Sequence, residues 1–360
     1  MTEALMHSDQ IEERALSALR RIATSPEGPD VVAAGHVYDV VGTGGVLRVL
    51  LDPECVPAGT DEALAEAVTS ILRDLPGVER VVVKPRPRAV ARRAALPGVR
   101  HIVAVHSGKG GVGKSTVAVN LAVSLAAAPP NGPGLRVGLL DADVYGPSAP
   151  LLLGLRGRAR PTTDGTRIAP MRAHGLAVMS LGFLMPQGKP LAWRGALVDE
   201  GLPQLLMEVD WGTLDILIVD LPPGTSNVHL ALAQEIALSG VLTVTAPGQI
   251  SVQDVRRGME MFADLAVPCL GLIENFAGVT CRRCGSMSHV FGAGGGQDLA
   301  ASTGLPIWAR IPFLPDVLHS GESGTPVAVS QPDSEAGRAF RAVADTLVRR
   351  LAEQATGVRA

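Results

Sequence analysis

The segment GVTCRRCGSM, residues 278–287, carries two of the four cysteines of the chain, Cys281 and Cys284, in C-x-x-C spacing. Two thiolates at this spacing supply half of the ligands of a four-coordinate zinc site or of an iron–sulfur cluster. The sequence contains no second C-x-x-C pair. It therefore predicts a metal site that is half complete, and it leaves open where the other ligands lie.

A glycine-rich segment, HSGKGGVGKST, offers a second kind of chemistry. It matches the pattern G-x-x-x-x-G-K-[ST] from Gly108 to Ser115, after a predicted strand and before a helical run. Glycines let the backbone wrap phosphate groups, and the N–H groups at a helix N-terminus face their negative charge. Lys114 is expected to reach the β- and γ-phosphates, and Ser115 to ligate Mg²⁺. The residues expected to hold the nucleotide are Gly108, Lys109, Gly110, Gly111, Val112, Gly113, Lys114, Ser115 and Thr116.

Aspartates at the ends of two further apolar runs complete this predicted site. Asp220 ends ILIVD, the position at which a carboxylate holds Mg²⁺ directly or through water. Asp141 and Asp143 end the run RVGLLDAD, and the carboxyl ends of strands form the ligand side of an open α/β sheet. We assign Asp141 to the magnesium shell and Asp143 to positioning the attacking water. The stiff PPGT segment, residues 222–225, is predicted to sense the γ-phosphate.

Short apolar runs separated by helical stretches are the elements that must position these groups. The runs are HIVAVHS, RVGLLDAD, DILIVDLP, GVLTVTAP and CLGLIENF. Their continuity is typical of strands that are buried on both faces of a parallel sheet. Residues 100–360 therefore predict an α/β domain with a doubly wound, mostly parallel sheet of the P-loop NTPase kind. Its last helix, near residues 333–354, is expected to dock on the sheet.

The first part of the chain predicts a separate small domain. Residues 1–84 show the pattern of an α-β-β-α-β unit, in which a Gly-rich turn joins the first two strands. Residues 85–99 contain three prolines and several arginines without a clear period, so they predict a linker.

Composition excludes several classes of protein. A net charge of -3 provides no overall attraction to nucleic acid or to an anionic membrane, and 3% aromatic residues do not suit a base-stacking surface. No apolar run reaches the length of about 18 residues that a membrane span needs. Four cysteines and a polar N-terminus predict a reducing cytoplasm.

Seven segments occur together and in order: GKGGVGKST, DADVYGPS, WRG, DLPPGT, VRRGMEMF, ENFAGVTCRRCG and HVFGAGGG. As a set, they resemble the Mrp/ApbC family of P-loop iron–sulfur cluster carrier proteins over about residues 100–350. The N-terminal unit resembles the small domain that many members carry. The CRRCG segment separates this resemblance from the related MinD and ParA proteins, which share the P-loop with two lysines.

The resemblance implies a carrier that binds and slowly hydrolyses ATP. Cys281 and Cys284 from each of two chains would hold one [4Fe–4S] cluster between them. Lys109, the second lysine of the loop, would reach the nucleotide of the other chain, which again implies a homodimer. Asn275 would contact the adenine. Apo iron–sulfur proteins are the implied acceptors, and a cluster-assembly scaffold is a further implied partner.

The chain departs from the family at a few positions. PPGT is followed by Ser226 and Asn227, where the family usually has Gly-Asp, so the segment lacks a carboxylate. This departure bears on hydrolysis more than on nucleotide binding. Cys55 is interpreted as a buried apolar residue, with a transient cluster ligand as the alternative, and Cys269 as a core residue. Arg282 and Arg283 are expected to favour the thiolate forms of the cysteine pair.

Two alternative functions remain at this point. A positioning ATPase of the MinD/ParA class would need a basic amphipathic tail or a basic stripe on its surface. The last segment, VRRLAEQATGVRA, has three arginines but little amphipathic character at its very end. A structural zinc clasp would use the same two cysteine pairs. His289, five residues after Cys284, is either a further ligand or an ordinary polar residue.

Overall fold

A computed structural model gives the fold of the chain. It describes all residues except 1, 26–27, 44–45, 52–55, 57–60, 86–92, 128–133, 144–145, 185–194, 282 and 357–360. Cys55, Arg282 and the tryptophan and arginine of WRG therefore lie outside the described residues. The chain divides into two compact units, Met1–Ala91 and Arg92–Ala360.

The first unit is a three-stranded sheet with two helices. Its elements are α1 (Thr2–Leu19), β1 (Val37–Thr43), β2 (Val46–Leu51), α2 (Asp61–Arg73) and β3 (Arg80–Pro85). The sheet order is β1-β2-β3, with β1 antiparallel and β3 parallel to β2. Alternate residues of β2, Leu47, Val49 and Leu51, are buried against α1 and α2 because side chains of a strand point alternately to its two faces. The order of elements agrees with the predicted α-β-β-α-β pattern.

The second unit contains the remaining elements. Its strands are β4 (Val99–Ser107), β5 (Val137–Asp141), β6 (Arg160–Pro161), β7 (Ile168–Ala169), β8 (Met171–Ala173), β9 (Leu176–Ser180), β10 (Leu214–Asp220), β11 (Gly240–Thr245), β12 (Cys269–Asn275), β13 (Val279–Thr280), β14 (Met287–Ser288) and β15 (Ile307–Ile311). Its helices are α3 (Lys114–Ala126), α4 (Ala149–Leu152), α5 (Gly195–Glu208), α6 (Asn227–Glu235), α7 (Gln249–Asp264), α8 (Gly295–Thr303), α9 (Pro315–Glu322), α10 (Val327–Ser330) and α11 (Glu335–Thr356). A short 3-10 helix spans Leu181–Phe183.

An eight-stranded sheet forms the centre of this unit, in the order β15-β12-β11-β4-β10-β5-β9-β8. All neighbouring strands are parallel except β8, which runs antiparallel to β9. Every residue of β5 and β11 is buried, so both faces of the sheet are covered. This architecture confirms the predicted doubly wound, mostly parallel α/β sheet, and it explains why the strands read as unbroken apolar runs.

Residues 86–92 of the predicted linker lie outside the described residues. Its last residues pack onto the second unit: the Ala94 N–H donates to the Glu235 carbonyl at 2.7 Å, and Leu96 is buried. The division into 1–84, 85–99 and 100–360 stays a prediction.

No helix in the described part of the chain is both long and apolar enough to cross a membrane.

Candidate functional site

The predicted phosphate loop joins the central strand β4 to helix α3. It runs from Gly108 to Gly113, and α3 begins at Lys114. Gly113 has φ +79°, and a Cβ there would lie 2.3 Å from the side-chain nitrogen of Asn275. Only glycine meets both demands without strain. The N-terminus of α3 follows directly after Gly113. Its first N–H groups, which have no partner within the helix, lie at the carboxyl edge of the sheet.

Lys114 is paired with the predicted Walker B carboxylate. Its Nζ lies 2.6 Å from Asp220 Oδ1, and both side chains are buried, at 6% and 1% exposure. Burial raises the pKa of Asp220, and the Lys114 ammonium opposes that rise. Asp220 Oδ2 is buried and has no hydrogen-bond partner among the described residues. Ser115 Oγ lies 3.3 Å from Lys114 Nζ, so the lysine, the hydroxyl and the carboxylate form one cluster.

Asp141 lies beside Asp220 at the same edge, because β5 and β10 pair these two residues in register. Burial and the neighbouring Asp220 raise the pKa of Asp141 to about 7. Asp141 accepts hydrogen bonds from the N–H of Asp143 at 3.2 Å, the N–H of Ala149 at 3.0 Å and the Ser180 hydroxyl at 3.3 Å. These bonds hold Asp143 and Ala149 beside Asp141. The assignment of Asp141 to the magnesium shell stays a prediction.

A cavity of about 490 Å³ opens beside these groups. P-loop residues and Asp143 form its polar side. Its apolar side includes Leu151, Leu152, Ile311, Phe313, Leu314 and Val317. The apolar side suits a nucleoside, because ligand pockets combine apolar walls with a few polar groups. This wall was not predicted, although the segment IPFLPD begins at the end of β15, at the same edge of the sheet.

Asn275 and Lys109 also border the cavity. Asn275 is buried and donates from Nδ2 to the Val112 carbonyl at 2.9 Å, so it braces the P-loop. Its predicted adenine contact is not tested by this geometry. The Lys109 carbonyl accepts from the Ser107 hydroxyl at 3.1 Å. The Lys109 ammonium makes no ion pair with any residue that the structure describes.

The predicted metal-binding cysteines lie on a short hairpin, residues 279–288, which we call the cysteine hairpin. Its strands β13 and β14 are antiparallel, and both cysteines are exposed at its tip. The tip is closed by two hydrogen bonds, Cys281 N–H to the Ser286 carbonyl at 2.9 Å and Gly285 N–H to the Cys281 carbonyl at 2.8 Å. In the described part of the molecule, no group of three or more histidine, cysteine or acidic residues could hold a metal ion.

Ser286 controls the acidity of one thiol. Its hydroxyl lies 3.0 Å from Cys284 Sγ, and hydrogen bonding from Ser286 lowers the pKa of Cys284. The expected effect of Arg282 and Arg283 on the thiols stays a prediction, and the contribution of Ser286 was not predicted. The serine sits two residues after the cysteine, which was a signal in the sequence. Cys269 differs, because burial raises the pKa of its thiol to about 11.

Three phenylalanine rings connect the cysteine hairpin with the cavity. Phe276 packs against Phe291 and Phe313 with ring centroids 5.2 and 5.7 Å apart. Phe276 and Phe313 both line the cavity. The Ala277 N–H donates to the Ile311 carbonyl, and the Phe313 N–H donates to the Gly278 carbonyl. The hairpin therefore begins directly on the wall of the nucleotide pocket.

Comparison with known proteins places this geometry in a family. The family model described as NUBPL iron-transfer P-loop NTPase, within the ParA group, matches residues 98–348. The chain belongs to this family of iron-transfer P-loop NTPases.

Relatives of this iron-transfer NTPase carry matching names. The iron-sulfur cluster carrier protein of Aquifex aeolicus is 37% identical over 92% of this chain and 96% of its own length. The iron-sulfur cluster transfer protein NUBPL of Mus musculus is 42% identical over 78% of this chain and 88% of its own. A nucleotide-binding protein of Archaeoglobus fulgidus, solved in complex with ADP, is 33% identical, with a TM-score of 0.56 over 67% of this chain and 92% of that one. The predicted resemblance to iron–sulfur carriers is thereby confirmed at the level of the family.

Two buried histidines lie behind the P-loop of this iron-transfer NTPase. The rings of His106 and His229 meet edge to face at 5.4 Å, and Phe262 of α7 completes the cluster. Neither ring nitrogen of His106 has a hydrogen-bond partner in the described chain. Burial lowers the pKa of His106 to about 3 and that of His229 to about 4. Both rings are therefore neutral at physiological pH.

We expect Gly258→Ala to destabilise the second unit. A Cβ at Gly258 of α7 would lie 1.9 Å from His106 Nε2, and the enclosed ring has no room to move. Overpacking of this kind costs about 1–3 kcal/mol, which outweighs the gain of about 1 kcal/mol from the better helix propensity of alanine. Urea unfolding measures the change. In a His106→Ala background, Gly258→Ala should cost less than it does in wild type, because the clash is then absent. A Gly258→Ala protein as stable as the wild type would contradict the packing.

The pH dependence of stability should change when His106 is replaced by leucine. The folded pKa of about 3 lies below the ordinary value of 6.5, so neutral His106 stabilises the fold above pH 6.5, and this contribution falls as the pH drops toward 3. His229 and Lys114 add repulsion against the charged ring. Between pH 7.5 and pH 5, wild type should lose about 2 kcal/mol relative to His106→Leu. Unfolding at both pH values checks this, and a constant difference would refute it.

Proposed function

We propose that this chain binds and slowly hydrolyses ATP, and that two copies hold a [4Fe–4S] cluster between their cysteine hairpins and pass it to apo-proteins. Family membership supports the iron–sulfur cargo. One structural observation supports a link between the cysteine pair and ATP: residues 275–278 contact the P-loop and the nucleotide pocket and lead directly into the cysteine hairpin. Asn275 braces the P-loop and Phe276 lines the pocket, while Ala277 and Gly278 form the root of the cysteine hairpin.

The phosphate side of the pocket suits MgATP. Ser115 and Asp220 would hold Mg²⁺, and the buried Asp220 Oδ2 fits that ion because no residue that the structure describes donates to it. Mg²⁺ would neutralise charge on the β- and γ-phosphates. Lys114 would leave Asp220 and donate to the phosphates, while the N–H groups of the loop bind their oxygens. Asp141, paired in register with Asp220, would complete the acidic shell.

Hydrolysis would use residues at the mouth of the pocket. Asp143 lines the cavity and would position the water that attacks the γ-phosphate, with ADP as the leaving group. Lys109 of one copy would reach the nucleotide of the other copy and stabilise the charge that develops there. The unpaired state of its ammonium supports this role, because no described residue of its own chain holds it.

The cluster would be cargo, bound at the surface. Each chain offers two exposed thiols at a hairpin tip, and a [4Fe–4S] cluster takes four. Two copies meeting at their cysteine hairpins would therefore complete the site. Exposure at the tip suits a labile cluster that an acceptor protein must reach. Apo iron–sulfur proteins, and a cluster-assembly scaffold, would be the partners in the cytoplasm.

Anaerobic reconstitution followed by transfer tests this function. The protein is loaded with iron and sulfide, and its absorption spectrum, iron content and mass in solution are recorded. We expect a broad visible band, about two irons per chain and a dimer. Loaded protein is then mixed with apo-aconitase, with ATP, with ADP or without nucleotide. Recovery of aconitase activity that differs between these nucleotide states supports the proposal.

Other outcomes of this experiment separate the alternatives. Tightly bound zinc with no visible band would indicate a structural clasp. ATP-dependent binding to vesicles or DNA without iron uptake would indicate a positioning ATPase. Either result would refute the carrier function.

A further inference from the structure

The ring of His229 bonds the chain at two residues, Pro222 of the predicted γ-phosphate-sensing segment 222–225 and Ser226 directly after it. Its Nδ1 lies 3.1 Å from the Ser226 nitrogen and 3.0 Å from the Ser226 Oγ, and its Nε2 lies 3.1 Å from the Pro222 carbonyl oxygen. The partners determine the tautomer: a backbone N–H can only donate and a carbonyl can only accept. Nδ1 therefore accepts, and the proton is on Nε2. The ring is fully buried, so both bonds are shielded from water.

These bonds close residues 222–226, which we call the switch loop, at both of its ends. At the middle of the loop, Gly224 takes φ +80° and donates its N–H to the Ser107 carbonyl at 2.8 Å. Pro223 lines the nucleotide cavity beside the P-loop. One backbone bond thus ties the middle of the switch loop to the residue before the P-loop, and the bonds of His229 tie its two ends to α6.

The switch loop has no charged side chain of its own. From residue 221 to residue 227 the sequence reads LPPGTSN. No carboxylate in this stretch can hold the loop through an ion pair or a metal ion. The hydrogen bonds of His229 therefore take a larger share in setting its path.

We propose that His229 is a positioning residue for ATP hydrolysis, acting through the switch loop. It does not line the nucleotide cavity, so it acts on Pro223 and Gly224 rather than on the nucleotide. By holding both ends of the loop, it places these residues in a constant relation to the γ-phosphate and the attacking water. This inference rests on the proposed ATP hydrolysis. A displacement of about 1 Å at such a point lowers the rate of the chemical step up to about 100-fold.

Three variants at one position separate the bonding to Ser226 from the bond to Pro222. His229→Ala removes the bonding at both residues. In His229→Asn, the amide overlays Nδ1 and can still accept from Ser226. In His229→Gln, the amide reaches the position of Nε2 and can still donate to Pro222. His106→Leu is the matched control, because His106 packs against the same ring and bonds to no part of the loop.

The variants are compared by steady-state ATPase kinetics and by amide hydrogen exchange of the switch loop. We expect His229→Ala to lower kcat at least about tenfold with little change in KM, and to speed exchange at residues 224–226. His229→Asn and His229→Gln should fall between His229→Ala and wild type, and His106→Leu should stay within about twofold of wild type. If His229→Ala does not fold, the two amide variants still decide the question.

Three other results of these experiments would overturn either the inference or the proposed hydrolysis. Folded His229 variants with wild-type kcat and wild-type amide exchange would overturn the inference, because the hydrogen bonds of His229 would then have no effect on the position of the switch loop. An equal loss of kcat in His106→Leu would also overturn it, since packing alone would explain the effect. A wild-type protein that hydrolyses no ATP would refute the proposed hydrolysis instead, and exchange in the switch loop would then decide by itself whether His229 holds the loop.

Discussion

Replacing Cys281 and Cys284 together by serine is expected to lower the iron and sulfide held after anaerobic reconstitution to background, at least about tenfold below wild type. Both thiols lie exposed at the tip of the cysteine hairpin, and each chain supplies only this pair to the proposed cluster. A serine hydroxyl stays protonated where a thiol ionises, so it is a poor iron ligand. Iron and sulfide assays with the visible spectrum measure the effect.

The matched control is Cys269→Ala. Cys269 lies at the start of β12, and burial raises the pKa of its thiol, so it is a poor ligand in the folded protein. This variant should hold as much iron as wild type. ATP binding should survive in the double serine variant, because neither cysteine lines the nucleotide cavity. Full iron uptake by the double serine variant would move the cluster away from the cysteine hairpin.

Lys114→Met is expected to have the second large effect, on hydrolysis and on stability. Loss of the ammonium from the proposed phosphate site should lower kcat/KM for ATP about 10²–10³-fold, as the loss of a preorganised charge-stabilising donor does elsewhere. The same change leaves Asp220 buried without its partner at 2.6 Å. Breaking a buried pair in this way costs about 3–5 kcal/mol, less whatever Asp220 recovers by taking up a proton. ATPase assays and urea unfolding measure the two effects separately.

The double variant Lys114→Met/Asp220→Asn separates stability from activity. Removing both charges should restore most of the lost free energy of unfolding, because no uncompensated charge remains buried. Hydrolysis should stay lost. A single Lys114→Met protein as stable as wild type would show that the ion pair contributes nothing to the fold.

Lys109→Ala tests the role of the second copy. The Lys109 ammonium makes no ion pair with a described residue, so its loss should leave the free energy of unfolding unchanged. Hydrolysis should fall, and it should be restored in part when Lys109→Ala is mixed with an Asp143→Asn chain, because a mixed dimer contains one intact site. Full activity of Lys109→Ala alone would contradict a nucleotide site shared between two copies.

The P-loop and the carboxylates near it could be predicted from the sequence because their patterns are local. The P-loop spans eight consecutive residues, and Gly111 and Gly113 take positive φ values that favour glycine. The carboxylates Asp141 and Asp220 were found because each ends an apolar run, and parallel strands end at one edge of a sheet. The closing helix was predicted at 333–354 and lies at Glu335–Thr356.

The residues that surround them could not be predicted from the sequence, because they come from distant parts of the chain. The apolar wall of the nucleotide cavity joins Leu151 to Phe313, more than 100 residues apart in sequence. Ser226 and His229 have the spacing of a capping box at the start of α6, which is a local pattern. The bond from His229 to Pro222 depends instead on how α6 leaves β10, and no local pattern predicts it.

The sequence by itself therefore determined the fold class, the phosphate loop, the paired cysteines and the family, because periodicity, motif spacing and order along the chain are local properties. Only the tertiary structure decided that the cysteine hairpin begins on the wall of the nucleotide cavity, that Ser286 lowers the pKa of Cys284, and that His229 closes the switch loop. These features arise where elements that are far apart in sequence pack together. Their contacts depend on the relative placement of strands and helices, which side-chain spacing alone does not specify.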